Sequence, residues 1–358
     1  MSRVHNFSAG PAVLPLSVIE QLADALPNFQ GTGLGLMELS HRSPTFDAVH
    51  RSAEARLRRI LGVPDEYAVI FLQGGASLQF HMTAQNLLAE GESADFLVTG
   101  VWAAKALKEA NRTRSARAAW DGKGSNYDHV PDSVDIDASA SYVHYTTNNT
   151  IYGTQFSGHP AIGDAHLVAD MSSDICSRPI DVSAHDIIYA GAQKNLGPSG
   201  VTAIILSPWA LEKSPGGLNP ILDYRLQVEK RGLFNTPNTF GIYALERVLA
   251  WLEDLGGLDK MAVRNQAKAD ALYAQIDSSD FWNGHAQLGS RSQMNVSFRS
   301  PSEEMDARFL KQADAAGFKG LKGHRLVGGL RASIYNACPP ESVDALVDFM
   351  RDFEQSNG

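Results

Sequence analysis

The chain has 358 residues, 44% of them hydrophobic and 20% charged, a balance that supports a packed core and excludes disordered, collagen-like and disulfide-scaffold classes. Its 31 basic and 40 acidic residues leave a formal charge of −9, which argues against an electrostatic binder of nucleic acid or of anionic membrane. Any anionic ligand therefore needs a local basic cluster, and the length suggests roughly two domains at about 150 residues each.

Met1 to Pro15 has no charged segment followed by an apolar one, and no apolar run elsewhere reaches membrane-spanning length. From about Leu16 to Trp251 helical and extended patterns alternate, as in a mostly parallel sheet covered by helices. A helix is expected after Ser43, with Pro44 in its first turn and Gly62 at its end. Short apolar strands are expected at Tyr67–Leu72, Asp95–Thr99, Tyr142–Tyr145, His166–Ala169, Ile187–Tyr189 and Val201–Leu206, with a second helix following Gly74-Gly75. The continuous run Ala203-Ile204-Ile205-Leu206 suits a strand buried on both faces, which favours parallel α/β architecture over an antiparallel sheet. Asp254-Leu255-Gly256-Gly257 breaks a helical pattern, so the expected division is 16–257 for a large domain and 1–15 with 258–358 for a small one.

In the smaller part, Met294, Val296 and Phe298 alternate with Asn295 and Ser297, and Leu330, Ala332 and Ile334 alternate with Arg331, Ser333 and Tyr335. Both patterns predict half-buried strands, which turn Arg331 toward solvent or a cleft. Cys176 and Cys338 stand far apart and outside any C-x-x-C spacing, so no zinc site or disulfide framework is expected and a reducing cytoplasm fits best. Both read as small buried side chains, and His50, His129 and His285 as surface or packing residues.

The chain lacks G-x-x-x-x-G-K-[ST], H-E-x-x-H and G-x-S-x-G, and Gly31, Gly33 and Gly35 miss the dinucleotide fingerprint. What remains is Asp170 and Lys194, each at the carboxyl end of an apolar strand, the edge where open α/β sheets bind ligands. A lysine there suits Schiff-base chemistry with a cofactor aldehyde, and an aspartate on the next strand suits a pyridinium nitrogen. A plain surface ion pair is the competing reading. Gly74-Gly75-Ala76-Ser77 can seat a phosphate at a helix amino terminus or can be ordinary turn chemistry. Trp102, after Gly100-Val101, can start a helix as a core indole or face a ring.

Ordered segments decide among these alternatives: Asn6-Phe7-Ser8-Ala9-Gly10-Pro11, Glu38-Leu39-Ser40-His41-Arg42, Gln73 to Phe80, Ala190 to Pro198, Phe234-Asn235-Thr236-Pro237, Lys322-Gly323-His324-Arg325 and Arg331 to Ala337. Through them the chain resembles, nearly end to end, the phosphoserine aminotransferases, a family of fold type I pyridoxal-phosphate enzymes within the aspartate-aminotransferase superfamily. The resemblance implies an α/β fold with a mostly parallel seven-stranded sheet sandwiched by helices, a smaller α/β carboxy-terminal domain, and a homodimer with shared active sites. It implies that Lys194 joins pyridoxal 5'-phosphate, Asp170 pairs with the pyridinium nitrogen, Trp102 stacks on the ring and Thr150 bonds its hydroxyl side. The phosphate falls to Ala76, Ser77 and Gln193, with Asn235 and Thr236 reaching it from the partner subunit. Some relatives carry an arginine at the position of Ser77. Arg331 matches the clamp for the substrate α-carboxylate, and His41, Arg42, His324 and Arg325 match residues around the distal phosphate or glutamate γ-carboxylate. The implied reaction moves the amino group between L-glutamate and 3-phosphohydroxypyruvate, giving phosphoserine and 2-oxoglutarate. Activity on 4-phosphohydroxythreonine is implied as a further possibility. Within the same fold, a small-substrate aminotransferase or a cysteine desulfurase is the alternative, the latter needing a mobile nucleophilic cysteine.

Overall fold

The computed structural model describes residues 3–358; Met1 and Ser2, the start of the expected 1–15 segment, lie outside the described residues. Its centre is a seven-stranded sheet ordered Ala68–Leu72, Thr202–Leu206, Ile187–Gly191, Leu167–Asp170, Val143–Thr146, Ser93–Val98 and Ser115–Asp121. All pairings are parallel except the two made by Thr202–Leu206. Ala203 to Leu206 is buried on both faces as its sequence predicts, but it runs antiparallel to both neighbours, so double burial there reflects coverage by helices and not strand direction.

One sheet face packs Phe46, Val49 and Leu57 of the helix Pro44–Leu61 together with Leu245 and Leu249 of Thr239–Asp254. The other packs Phe80, Met82 and Leu87 of Gly75–Leu87 with Ala106 and Ala110 of Val101–Ala110. The helix Pro44–Leu61 has the expected signals: the Ser43 hydroxyl accepts from Phe46 N at 3.2 Å, and Gly62 closes it at φ 64°. The strand Ser115–Asp121 is absent from the sequence expectation. It lies at the sheet edge with one neighbour, and Ser-Ala-Arg-Ala-Ala-Trp-Asp carries no β-branched run to signal it.

A separate apolar cluster joins Phe7 and Val13 to Leu272, Trp282, Phe298, Phe309, Leu346 and Phe353. It covers the antiparallel strands Asn283–Gly284, Asn295–Arg299 and Leu330–Ser333 with the helices Gly257–Asp277, Glu303–Ala315 and Pro340–Asn357. His5–Asn6 pairs in parallel with Phe318–Lys319 and ties the amino-terminal segment to this cluster.

Here the expectation of half-exposed strands fails. Asn295 and Ser297 are as buried as Val296 and Phe298, and Ser333 and Tyr335 are buried on the polar side of their strand. Their polar face meets the large sheet's loops. Asn148 Nδ2 donates to Asn295 Oδ1 at 2.8 Å and to Ser173 Oγ at 2.8 Å, while Asn295 Nδ2 donates to Ser333 Oγ at 2.9 Å and to the Tyr335 hydroxyl at 3.1 Å. Polar groups can be buried at this seam because each finds a partner across it. Asn295→Ala takes one partner each from Asn148, Ser333 and Tyr335, and a buried group left unsatisfied by it costs about 1–3 kcal/mol. The expected result is a markedly lower denaturant midpoint; an unchanged midpoint would mean that the seam adds nothing to stability.

Candidate active site

Loops at the carboxyl ends of the central strands converge on one cavity, whose walls include Ala76, Ser77, Trp102, Thr150, Asp170, Gln193 and Lys194. Asp170 ends Leu167–Asp170, and the neighbouring strand Ile187–Gly191 runs directly into Gln193 and Lys194. Trp102 stands in the first turn of Val101–Ala110, and Ala76 and Ser77 in that of Gly75–Leu87. The Lys194 amine donates to Thr150 Oγ1 at 2.6 Å.

Burial controls the electrostatics. It pulls the Lys194 amine from its ordinary 10.5 down to about 8; Asp170 opposes that fall, Arg331 adds to it and Asp174 opposes it. Burial likewise pushes the Asp170 carboxyl above its usual range, against hydrogen bonds from Ser172, whose N–H donates to Asp170 Oδ1 at 3.0 Å, and against the attraction of Lys194. In both groups desolvation outweighs the pair's mutual attraction, so the amine gives up its proton more easily than an ordinary lysine does. Asp174, fully buried behind Asp170, is also raised by burial and takes hydrogen bonds from Thr147 and from Gln155 Nε2, the latter at 3.0 Å.

Three polar atoms around this region are buried without a protein partner: Trp102 Nε1, Thr146 Oγ1 and Arg331 Nε. Gly75 has φ +64° and nothing within 4 Å of where a Cβ would project, at the amino terminus of a 13-residue helix. An amine held near neutrality, a buried carboxyl, an indole wall and an open helix terminus fit the aldehyde, ring nitrogen, ring face and phosphate of the cofactor that the sequence implies.

Arg331 takes the cleft side of its strand. Its Nη1 donates to the Thr150 carbonyl at 3.3 Å, and burial lowers its pKa. His324 is lowered by burial and then by Arg331, Arg325 and Lys105, which places these cations together. Lys105 is new to the set: its Nζ lies 4.3 Å from the Trp102 ring centroid, and the i,i+3 spacing from Trp102 was its signal. Thr146, Asn148, Ser172 and Ser173 also line the cavity; their signal was the polar run that follows each strand end.

The single chain does not bring every expected residue to this cavity. Asn235 lines a different, apolar hollow with Leu72, Gly74 and Ile221, and the Thr236 carbonyl accepts from Gln73 Nε2 at 3.0 Å. His41 and Arg42 sit on the turn before Pro44–Leu61 and are not among the cavity's walls. Cys176 and Cys338 are buried free thiols, pushed up by burial to about 12 and about 11, so neither offers an accessible thiolate. His50 packs between Phe46 and Phe71 and is held near 4 by burial. His129 pairs with Asp128 at 2.6 Å, and His285 Nε2 contacts the Asn126 carbonyl at 3.0 Å. No group of three or more potential metal ligands occurs among the described residues.

The model of the family described as aminotransferase class-V matches residues 4–346. A phosphoserine aminotransferase of Geobacillus kaustophilus is 53% identical over 99% of this chain and 99% of its own length. The phosphoserine aminotransferase structure from Bacillus circulans subsp. alkalophilus superposes with a TM-score of 0.97 at 47% identity, covering 99% of both chains. A PLP-bound phosphoserine aminotransferase from Trichomonas vaginalis gives 0.93 at 37% identity, covering 98% of this chain and 100% of that one.

In cofactor-free protein, aldehyde labelling of Lys194 followed by reduction is expected to titrate near about 8 rather than near 10.5. Asp170→Asn should move that midpoint lower still, because the carboxylate favours the ammonium form. A midpoint near the ordinary lysine value would contradict the burial argument. The linkage sign follows: between these two values the unfolded chain binds more protons at this residue, so its contribution to stability rises with pH across that window.

Proposed function

The chain belongs to the aminotransferase class-V family, and on that premise we propose that it is a phosphoserine aminotransferase, exchanging the amino group between L-glutamate and 3-phosphohydroxypyruvate to give O-phospho-L-serine and 2-oxoglutarate. The observation that carries this reading is the Lys194 amine, which shares one cavity with a buried Asp170 and is depressed to about 8, with Arg331, bonded to the Thr150 carbonyl, adding to that fall. Pyridoxal 5'-phosphate, when bound, supplies the electron sink that lets an amino acid lose its α-proton.

The chain's residues divide the remaining work. Lys194 would hold the cofactor through Nζ, and its amine, when free, would accept the substrate α-proton as a base near neutral pH. Asp170, in carboxylate form, keeps a proton on the ring nitrogen. Trp102 covers the ring face and excludes water from it, and Thr150 orients both Lys194 and the ring hydroxyl. Ala76, Ser77 and Gln193 seat the phosphate, joined by Asn235 and Thr236 of a second copy. A homodimer explains why Asn235 lies outside the cavity of its own chain, and the exposure of Phe234 and Ile221 beside it supports that arrangement.

Arg331 clamps the α-carboxylate; its unpartnered Nε and its donation to the Thr150 carbonyl support this role. His41, Arg42, His324 and Arg325 meet the distal phosphate or γ-carboxylate, concentrating positive charge in a chain of net charge −9. The same pocket chemistry accommodates 4-phosphohydroxy-L-threonine. The separate apolar cluster supports division at 257/258, with Leu258 and Met261 still packed on the large core. Two buried free thiols support a reducing cytoplasm; no helix among the described residues is long and apolar enough to cross a membrane.

Adding phosphoserine without a keto acid should shift the visible absorbance of the cofactor-loaded protein, and Lys194→Ala should retain cofactor while losing turnover by about 10²-fold or more. A spectrum that ignores phosphoserine but responds to alanine would reassign the substrate; normal turnover in Lys194→Ala would reassign the base. Arg42→Ala should raise KM for phosphoserine far more than for alanine, and equal effects would make Arg42 structural.

A further inference from the structure

Arg231 follows the helix Tyr224–Glu229 with φ 54°, a left-handed conformation that glycine or asparagine adopts more readily. Its side chain has two partners. Nη1 pairs with Asp47 Oδ1 at 2.8 Å, and Nη2 donates to His50 Nδ1 at 3.1 Å. Asp47 and His50 stand three positions apart, on one face of the helix Pro44–Leu61. An arginine only donates, so His50 Nδ1 is the acceptor and the ring proton lies on Nε2, which is buried without a partner. This imidazole is fully buried against Phe46 and Phe71, so it gives the guanidinium fork a fixed point to meet.

The chain on each side of this contact carries residues that the proposed function uses. His41 and Arg42 form the turn that leads into Pro44–Leu61, and Asn235 and Thr236 follow shortly after Arg231. None of the four lines the cavity of its own chain. From Arg231 to Thr236 the path is held closely: a Cβ on Gly232, at φ 72°, would come within 2.6 Å of the Phe71 carbonyl oxygen, and Gln73 Nε2 donates to the Thr236 carbonyl at 3.0 Å. Phe71 is also a ring against which His50 packs, with 5.6 Å between centroids. The edge strand Ala68–Leu72 thus backs both segments, and Arg231 is a charged link between them.

We propose that Arg231 is a positioning residue: by bridging Asp47 and His50 it holds the His41-Arg42 turn and the Asn235-Thr236 segment as one unit, so that the contact to the substrate's distal anion and the contact to the cofactor phosphate keep a fixed spacing. The inference rests on the roles proposed above for those four residues. The Ser43 cap and the Gln73 contact are independent of Arg231, so breaking the link costs the spacing and not the segments themselves.

The test uses Arg231→Met and Arg231→Lys in the full chain loaded with pyridoxal 5'-phosphate. Arg231→Met should raise KM for phosphoserine by about tenfold and leave KM for alanine, which has no distal anion, within about twofold, with kcat at saturating phosphoserine little changed. It should also speed release of the cofactor on dilution by about tenfold. Arg231→Lys, which reaches one acceptor but cannot fork to two, should fall between the wild type and Arg231→Met in both readouts. A folded Arg231→Met with wild-type selectivity and wild-type cofactor release overturns the proposal. Equal rises in KM for the two amino acids, or a change confined to one of the two readouts, overturn it as well. Should Arg231→Met fail to fold, Asp47→Ala breaks the link from the helix side and carries the same two readouts, and no change in either overturns the proposal. If the wild-type cofactor band ignores phosphoserine, the substrate reading fails instead, and cofactor release alone then decides whether Arg231 holds the Asn235-Thr236 segment.

Discussion

The constraint on which this site depends is the partial removal of Lys194 from water beside a carboxyl that is almost wholly removed from it. At the protein surface such a pair would simply ionise. Here desolvation acts on each group more strongly than the other group's charge does, so Lys194 is lowered and Asp170 raised. The sheet makes this possible by presenting both residues from adjacent parallel strands at one edge, under a roof built from Trp102 and the loop reaching Thr150. An amine that is easily neutral is a base, and a carboxyl that gains from a cationic neighbour is a seat for a protonated ring nitrogen. The chemistry follows from the burial.

That burial requires a second body of protein. The seam of Asn148, Ser173, Asn295 and Ser333 closes the floor of the cavity with side chains from both apolar cores. Asn336 and Asn195 extend it: Asn336 N donates to Asn195 Oδ1 at 3.0 Å, and Asn195 lies next to Lys194. Amides suit the role because each supplies donors and an acceptor at once.

Much of this was legible in the residues. Short apolar runs placed Asp170 and Lys194 at the carboxyl ends of neighbouring strands, as the structure has them, and Ser43, Pro44 and Gly62 marked a helix whose cap the structure reproduces. The alternation around Arg331 pointed it away from its core, toward solvent or a cleft, and the structure sets it against the Thr150 carbonyl. Burial was misjudged where polar faces meet each other instead of water, as at Asn295 and Ser297, because periodicity reports apolar contact and is blind to amide partners from distant segments. The same limit hid Lys268, a lysine on a helix with no local sign that carbonyls 66 to 70 positions later would enclose it. The edge strand Ser115–Asp121 was invisible because one-sided pairing demands so little of its side chains.

The antiparallel strand has a consequence for how the molecule can change over evolutionary time. Ile187–Gly191 and Thr202–Leu206 form a hairpin, and the segment bearing Lys194 is its loop, with Thr202 opposite Gly191 where the ladder closes. Most loops at a ligand edge lead away over a sheet face and absorb extra residues without disturbing the strands. This one returns at once to its neighbour. A single residue added within the ladder would slip the register and reverse which face each side chain of Thr202–Leu206 presents to the two cores. Diversification by lengthened loops is therefore open at the cavity walls near Ser77, Trp102 and Thr150, while the lysine's hairpin can take added residues only in the connection between Gly191 and Thr202, outside the ladder.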